Sequence, residues 1–212
     1  MDPLGDKSNG YEEMAEHFMR ARNPRIGPET VREWSKSLPR GASILELGCG
    51  HGMISRVLIE EAFDVFGVDA SPKLIAAFRE RFPGTHAQCA AVEDSDFFGR
   101  SFDAIVAWGL MFLLPADLQE LVIRKAAQAL NPGGRFLFTS TEQPVTWNDS
   151  LTGRESVSLG AEAYRRMLQA QGLILQPELS DEGENHYSSA VKPRGGRASA
   201  PREALASLPE RH

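Results

Sequence analysis

The sequence predicts an α/β fold: a doubly wound, seven-stranded and mostly parallel sheet with an antiparallel strand at one edge. Three observations carry this expectation. From Ser43 onward, short apolar runs of strand length alternate with helical stretches, and strands joined through helices imply βαβ units with right-handed crossovers. The first run ends in a glycine-rich turn, Gly48-Cys49-Gly50-His51-Gly52, that opens into a helix. The last two runs have no helix between them, so they can pair antiparallel, as an edge of a mixed sheet often does.

Each element has a local reason. Tyr11 to Arg20 is a first helical stretch, followed by a loop containing Pro24, Gly27 and Pro28. Proline suits the first position of a helix, so a second helix starts near Pro28-Glu29. It places Val31, Trp34, Ser35 and Leu38 on one face and breaks at Pro39-Arg40-Gly41. Ser43 to Leu47 is the first strand; Met53, Ile54, Val57, Leu58 and Ala62 then recur at helical spacing. Asp64 to Val68 is the second strand. Ser71-Pro72 supplies a hydroxyl cap and an N-terminal proline for a helix whose buried stripe is Leu74, Ile75 and Phe78. Thr85 to Cys89 is a weak third strand before an acidic loop, and Asp103 to Trp108 is the fourth. In the helix from Asp117 to Leu130, Leu118, Leu121, Val122 and Lys125 fall along one side. Asn131-Pro132-Gly133-Gly134 stops it and turns into a strand from Arg135 to Thr139. A last helix from Gly160 to Gln171 ends at Gly172, and Leu173 to Gln176 and His186 to Val191 close the sheet. Beyond Lys192 the chain is rich in breakers and lacks an apolar period, so it is expected to be disordered. The expected organisation is a lid helix and loop over 1–27, a ligand-binding domain over 28–192 and a tail over 193–212.

Composition narrows the function classes. The chain has 212 residues, 42% hydrophobic and 25% charged, which suits one folded domain. No apolar run approaches the roughly 20 residues that cross a bilayer, and the polar opening Met1 to Gly10 does not read as a secretory signal; the expected compartment is the cytoplasm. A net charge of −6 argues against nucleic acid as the main partner. Cys49 and Cys89, both in segments that read as core, are expected to be reduced, buried thiols. No Cys/His cluster stands at ligand spacing, so no metal site is expected.

The chemistry concentrates in Glu46-Leu47-Gly48-Cys49-Gly50-His51-Gly52. Alternate glycines let the backbone turn tightly and let a ligand approach without meeting a Cβ, and the helix behind them offers free N–H groups. Dinucleotide folds also use such a turn, but with the spacing G-x-G-x-x-G; here it is G-x-G-x-G, with Glu46 two residues ahead. Asp69, at the tip of the second strand, follows about 20 residues later, where an acid can accept hydrogen bonds from a ribose; its other reading is a cap for the following helix.

With these two elements in register, the chain resembles the class I S-adenosylmethionine-dependent methyltransferases of the small, single-domain kind. Ile44 to Gly52 matches that family's first motif and Val65 to Ser71 its second; Ala91-Val92-Glu93-Asp94, Ser101 to Trp108 and Ala126 to Phe138 resemble later ones, over about residues 28 to 191. The resemblance implies a Rossmann-like methyltransferase fold with S-adenosyl-L-methionine as cofactor and S-adenosyl-L-homocysteine as product. It implies that backbone around Gly48 and Gly50 passes beneath the methionine part, with Glu46, Cys49, His51 and Gly52 in the same cradle. Asp69 takes the ribose hydroxyls, and Ala70 and Val92 border the adenine with Glu93 beside it. Trp108 and Gly109 border the transferable methyl. Position 91 is alanine where many relatives carry an acid, so adenine recognition shifts toward backbone groups and Glu93. Glu93 also reads as a solvated loop residue, and Trp108 as a wall of the core.

The activated methyl moves by direct in-line displacement, so the protein's task is to place an acceptor lone pair and exclude water. Acceptor contacts are expected from Tyr11, His17, Phe18, Arg20, Met111, Phe112, Glu142, Trp147, His186 and Tyr187. His17, His186 and Tyr187 are the candidates for handling an acceptor proton, against the plainer readings of a surface histidine and a solvated turn at 181–187. Trp108-Gly109-Leu110-Met111 stands where base- and amide-methylating relatives carry N/D-P-P-Y/F, which disfavours those substrates. What remains is an O, N or S atom of a small molecule, acted on by a monomer or weak homodimer. The alternatives are a non-catalytic S-adenosylmethionine-binding sensor or partner subunit and, disfavoured by the glycine spacing, an NAD-binding oxidoreductase.

Overall fold

The computed structural model describes residues 6–21 and 26–195. Two helices, α1 (Tyr11–Ala21) and α2 (Pro28–Ser35), precede an alternation of β1 (Ser43–Leu47), α3 (Met53–Glu60), β2 (Asp64–Asp69), α4 (Pro72–Arg81), β3 (His86–Cys89), β4 (Phe102–Ala107), α5 (Ala116–Ala129) and β5 (Leu130–Ser140). There follow β6 (Val145–Asn148), β7 (Glu155–Ser158), α6 (Ala161–Ala170), β8 (Ile174–Leu175), β9 (Leu179–Ser180) and β10 (His186–Val191). The central sheet runs β3-β2-β1-β4-β5-β10-β8. Strands β1 to β5 are parallel, and β10 is antiparallel to β5. The seven expected runs are all present. An eighth strand, β9, shares the outer edge of β10 with β8, each only two residues long.

Alternation along the strands sorts side chains onto the two faces. Leu45, Phe66, Ile105 and Phe136 pack with Val122, Ile123 and Tyr164 of α5 and α6. Ile44, Val65, Val106 and Leu137 pack with Val31 and Trp34 of α2 and Ile54 and Leu58 of α3. Burying one such chain fully contributes about 1.5–3 kcal/mol. All five residues of β1 are buried, as a central parallel strand requires. The cap predicted for α4 forms: Leu74 N donates to Ser71 Oγ at 3.2 Å, with Pro72 opening the helix.

Three expectations are corrected. The Asn131–Gly134 segment does not precede β5 as a separate turn. Phe102 already pairs with Leu130, Ala104 pairs with Arg135, and the residues between bulge out of the ladder. Cys89 is exposed, because β3 is the outermost parallel strand; Cys49 is buried as expected. The hairpin of β6 and β7 was not foreseen, because its buried side carries Ser156 and Ser158 rather than apolar residues, so no hydrophobic period marks it. The predicted tail lies, from residue 196 on, outside the described residues. Among the described residues no helix is long and apolar enough to cross a membrane, and no three His, Cys, Asp or Glu gather around a metal position.

The bulge at the start of β5 is tied down by Asp103. Its Oδ1 accepts from Asn131 Nδ2 (2.9 Å), and its Oδ2 accepts from the N–H and hydroxyl of Ser43 (both 3.0 Å). Partial burial pushes this carboxyl upward, but the hydrogen bonds from Asn131 and Ser43 outweigh it and hold it below the ordinary range. A depressed carboxyl contributes stability that is present above its unfolded value, near 3.9, and is lost as pH falls through the folded one. Asp103→Asn is therefore expected to cost ~1–3 kcal/mol at pH 7. In urea titrations the gap from wild type should close below about pH 4; a gap independent of pH would overturn this assignment.

Candidate active site

The turn after β1 is held from below by the end of β2. Gly48 N and Cys49 N both donate to the Val68 carbonyl (2.8 and 3.1 Å), and Gly50 N donates to Asp69 Oδ2 at 2.8 Å. Asp69 Oδ1 accepts from Ser71 N at 2.8 Å. The carboxylate thus clamps the glycine turn to the helix start while each oxygen keeps a further lone pair for a ligand. Burial pushes Asp69 above the ordinary carboxylate range, the Ser71 and Gly50 N–H groups pull it partly back, and the charge of Glu12 adds to the rise. Beneath the turn, the buried Glu46 carboxylate accepts from the Ser55 hydroxyl of α3.

Above this turn lies a cavity of about 790 Å³ including its open mouth. Of the twelve residues expected to hold the cofactor, Glu46, Gly48, Cys49, Gly50, His51, Asp69, Ala70, Val92, Glu93, Trp108 and Gly109 line it. Gly52 does not; it is the left-handed N-cap of α3 (φ 87°) and packs against Phe82 and Phe78. Cys49 is an inert wall: burial, then the charges of Asp69 and Glu46, push its thiol far upward. The lining suits an adenosyl group with an amino-acid arm: a buried acid, a bend of glycines, and apolar walls at Val92 and Leu74.

Residues of the N-terminal segment, which the sequence suggests as a lid, also line the cavity. Lys7, Ser8 and Asn9 line it, as do Tyr11 and Phe18, which were expected on the acceptor side. Phe18 meets the His51 ring edge-on at 5.6 Å and Tyr11 at 5.1 Å. The segment is fastened on both flanks. Lys7 pairs with Glu93 (3.4 Å) and Asp94, and the Glu12 carboxylate accepts from Ser71 Oγ (2.5 Å) and Lys73 N (3.0 Å). Across the site, Asp6 pairs with Arg154 (2.9 Å) and the Tyr11 hydroxyl donates to Asp149 (3.1 Å), both beside the hairpin of β6 and β7. The one signal available was the apolar pair Tyr11 and Phe18, seven residues apart on a helix otherwise rich in charge.

Trp108 divides this cavity from a second hollow, lined by Ile26, Trp108, Gly109, Phe112, Thr139, Gly183 and Asn185. The indole is fixed in two ways. Its Nε1 donates to the Tyr187 hydroxyl at 2.9 Å, which in turn donates to Asp181 Oδ2 at 2.6 Å. Gly27, at φ 91°, lies so close that a Cβ would overlap the ring, so only glycine fits there. Next to it, Gly109 N donates to Thr139 Oγ1 at 2.7 Å, and Phe112 packs on Trp147 at 5.2 Å.

The three residues expected to handle an acceptor proton are not brought together. His17 is exposed on α1 and His186 is half-buried in β10; neither lines the cavity or the hollow. Tyr187 is buried, and burial followed by its hydrogen bond to Asp181 pushes its hydroxyl far above the ordinary range, so it stays neutral and supports Trp108. Met111 belongs to the core, Arg20 pairs with Glu16 in solvent, and Glu142 is exposed. Asp181 to Asn185 is a turn closed on the Asp181 carboxylate, which accepts from Gly183 N, Asn185 N and Asn185 Nδ2.

The parallel sheet flanked by an antiparallel strand gives this chain the fold of solved methyltransferases. Residues 44–134, a little under half of the chain, match the profile of the methyltransferase domain family. Over 162 residues it is 26% identical to a ubiquinone biosynthesis O-methyltransferase of Xanthomonas axonopodis, covering 73% of this chain and 59% of that one. Over 109 residues it is 33% identical to an uncharacterized methyltransferase of Synechocystis, covering 50% of each. The chain thus spans less than two thirds of the length of these curated relatives. Among solved structures, the CcbJ methyltransferase of Streptomyces caelestis superposes with a TM-score of 0.73 at 16% identity, covering 89% of this chain and 99% of that one. The 1,6-didemethyltoxoflavin-N1-methyltransferase of Burkholderia thailandensis, solved with its substrate and S-adenosylhomocysteine, superposes at 0.70 and 17% identity over 87% and 84%.

Proposed function

We propose that the protein binds S-adenosylmethionine in the cavity above the glycine turn and transfers its methyl group to a small molecule seated in the hollow beyond Trp108. The observation that carries this is the Asp69 carboxylate, clamped to Gly50 N and Ser71 N while lining the cavity above the glycine turn. When bound, the sulfonium supplies an activated methyl, so the chain has to hold, orient and dry the acceptor. Trp108 and Gly109, which line both spaces, are the residues at the point of transfer. Phe112 and Ile26 offer apolar walls, and Asn185 and Thr139 offer hydrogen-bonding groups, for a flat acceptor with one polar substituent. The O- and N-methyltransferases among the relatives support an oxygen or nitrogen acceptor. In this reading the segment around α1 is the lid, residues 28–192 form the catalytic domain, and the enzyme works in the cytoplasm as a monomer or weak homodimer.

The test is calorimetry followed by turnover. S-adenosylhomocysteine is expected to bind with Kd in the range of ~1–100 μM and NAD not at all. Formation of S-adenosylhomocysteine from S-adenosylmethionine should then appear with members of a panel of phenols and nitrogen heteroaromatics. Binding of NAD without S-adenosylhomocysteine would overturn the reading.

A further inference from the structure

Lys125 sits on the helix face that reads as apolar in sequence, and its hydrogen bonds go to main-chain carbonyls rather than to carboxylates. Its ammonium donates to three main-chain carbonyls of the loop after β3: Val92 (2.9 Å), Glu93 (2.8 Å) and Ser95 (2.7 Å). It also lies 4.7 Å from the centre of the Phe97 ring. All three of its N–H donors are thereby used. Val92 and Glu93 line the cofactor cavity, and Lys125 does not. The lysine therefore grips this loop from the side away from the ligand.

A trans peptide is planar, with its N–H directed opposite to its C=O, and none of the peptide bonds here is cis. Drawing the Val92 carbonyl onto Lys125 consequently turns the N–H of Glu93 away from the lysine. That N–H donates to no other described residue, whereas the next two, of Asp94 and Ser95, are both used by the Ala91 carbonyl at 3.1 and 2.9 Å. The Val92 N–H is likewise not donated to any described residue, so two main-chain donors remain for reading a base where position 91 has no acidic side chain, and the grip of Lys125 on the Val92 carbonyl orients the second of them.

We propose that Lys125 is a positioning residue for adenine recognition, aiming the Glu93 N–H at a ring nitrogen of the cofactor's base. This rests on the cavity holding the adenosyl cofactor, and the experiment separates the two claims. Calorimetry of the full chain is run with S-adenosylhomocysteine and with its 1-deaza and 3-deaza analogues, in which a ring nitrogen is replaced by CH. Wild type is expected to bind one of the analogues about tenfold more weakly than the parent, the weight of one hydrogen bond. In Lys125→Met that ratio should fall to within about twofold, because the donor is no longer aimed. A lysine that only braced the fold would leave the ratio intact while all three ligands weakened together, and that result would overturn the proposal, as would a wild type indifferent to both analogues. Failure of wild type to bind S-adenosylhomocysteine at all would instead sink the cofactor reading. A second measurement does not depend on the variant folding. In nitrogen-15-labelled wild type, the Glu93 amide proton should move downfield with S-adenosylhomocysteine and not with the discriminated analogue; equal shifts with both would overturn the proposal.

Discussion

Replacing Asp69 with alanine is expected to weaken S-adenosylhomocysteine binding by ~1–3 kcal/mol, about 5- to 150-fold, while the sheet stays folded. The upper part of that range is favoured by what the carboxylate already does. It accepts from Gly50 N and Ser71 N at 2.8 Å each, so its removal costs the ribose its acceptor and also releases the turn that cradles the rest of the ligand. Asp69→Asn separates the two contributions. The amide keeps one acceptor oxygen, and its NH₂ faces a partner that is itself a donor, so it should fall between wild type and alanine. The pH dependence carries an independent sign. Because burial raises this carboxyl, the empty protein holds the proton up to a higher pH than the unfolded chain does, a contribution to stability that is present at low pH and lost as pH rises through the folded value. Ligand hydroxyls need the ionised form. Affinity should therefore drop on mild acidification in wild type and become flat in Asp69→Ala. Calorimetry across that range, with circular dichroism to confirm folding, measures both. Unchanged affinity in the alanine variant would remove Asp69 from the site.

How much of this was legible in the sequence follows from where the information sits. The strands were readable because a parallel sheet covered on both faces forces continuous apolar runs, as in Ile44-Leu45 and Ile105-Val106. The floor of the cofactor cavity was readable for a related reason: a bend that needs left-handed backbone selects glycine, and an acid at the tip of the next strand stands where a ribose can be bound as well as where it can cap the following helix. The covering elements obey no such local rule. Lys7, Asn9 and Leu110 reach the cavity through tertiary placement, and their residue types are ordinary surface or core types. The hairpin of β6 and β7 escaped notice because serines face its buried side. The misplaced proton-handling candidates show the same limit from the other direction. Tyr187 looked like chemistry because it stands in a polar run, and only the fold turns its hydroxyl toward Trp108 and Asp181. Lys125 was visible on an apolar helix face, but its three carbonyl partners are about 30 residues away along the chain.

Gly52→Ala is the substitution expected to destabilise the protein most among those at the site, by ~2–4 kcal/mol. Two separate costs lead there. Gly52 is held at φ 87° and ψ 38°, where its N–H donates to the Cys49 carbonyl at 2.9 Å and its own carbonyl accepts from Arg56 N at 3.1 Å, so the chain cannot rotate out of this conformation without opening the first turn of α3. An alanine in that left-handed region costs about 1–2 kcal/mol. The new methyl would also overlap Phe82 Cε2 and lie 3.0 Å from Phe82 Cδ2 and 3.1 Å from Phe78 Cδ2. Overpacking of this kind costs about 1–3 kcal/mol. The Phe82 ring is half-buried and can move, but Phe78, against which it packs edge-on at 5.3 Å, is fully buried and cannot. A double-mutant cycle divides the two costs. In a Phe82→Ala background most of the overlap disappears, so adding Gly52→Ala should cost about 1–2 kcal/mol there, the backbone strain alone. Urea denaturation of the four proteins measures the coupling. If Gly52→Ala alone came within about 0.5 kcal/mol of wild type, the range for a neutral surface change, the turn would not have the rigid left-handed geometry on which the cofactor cradle depends.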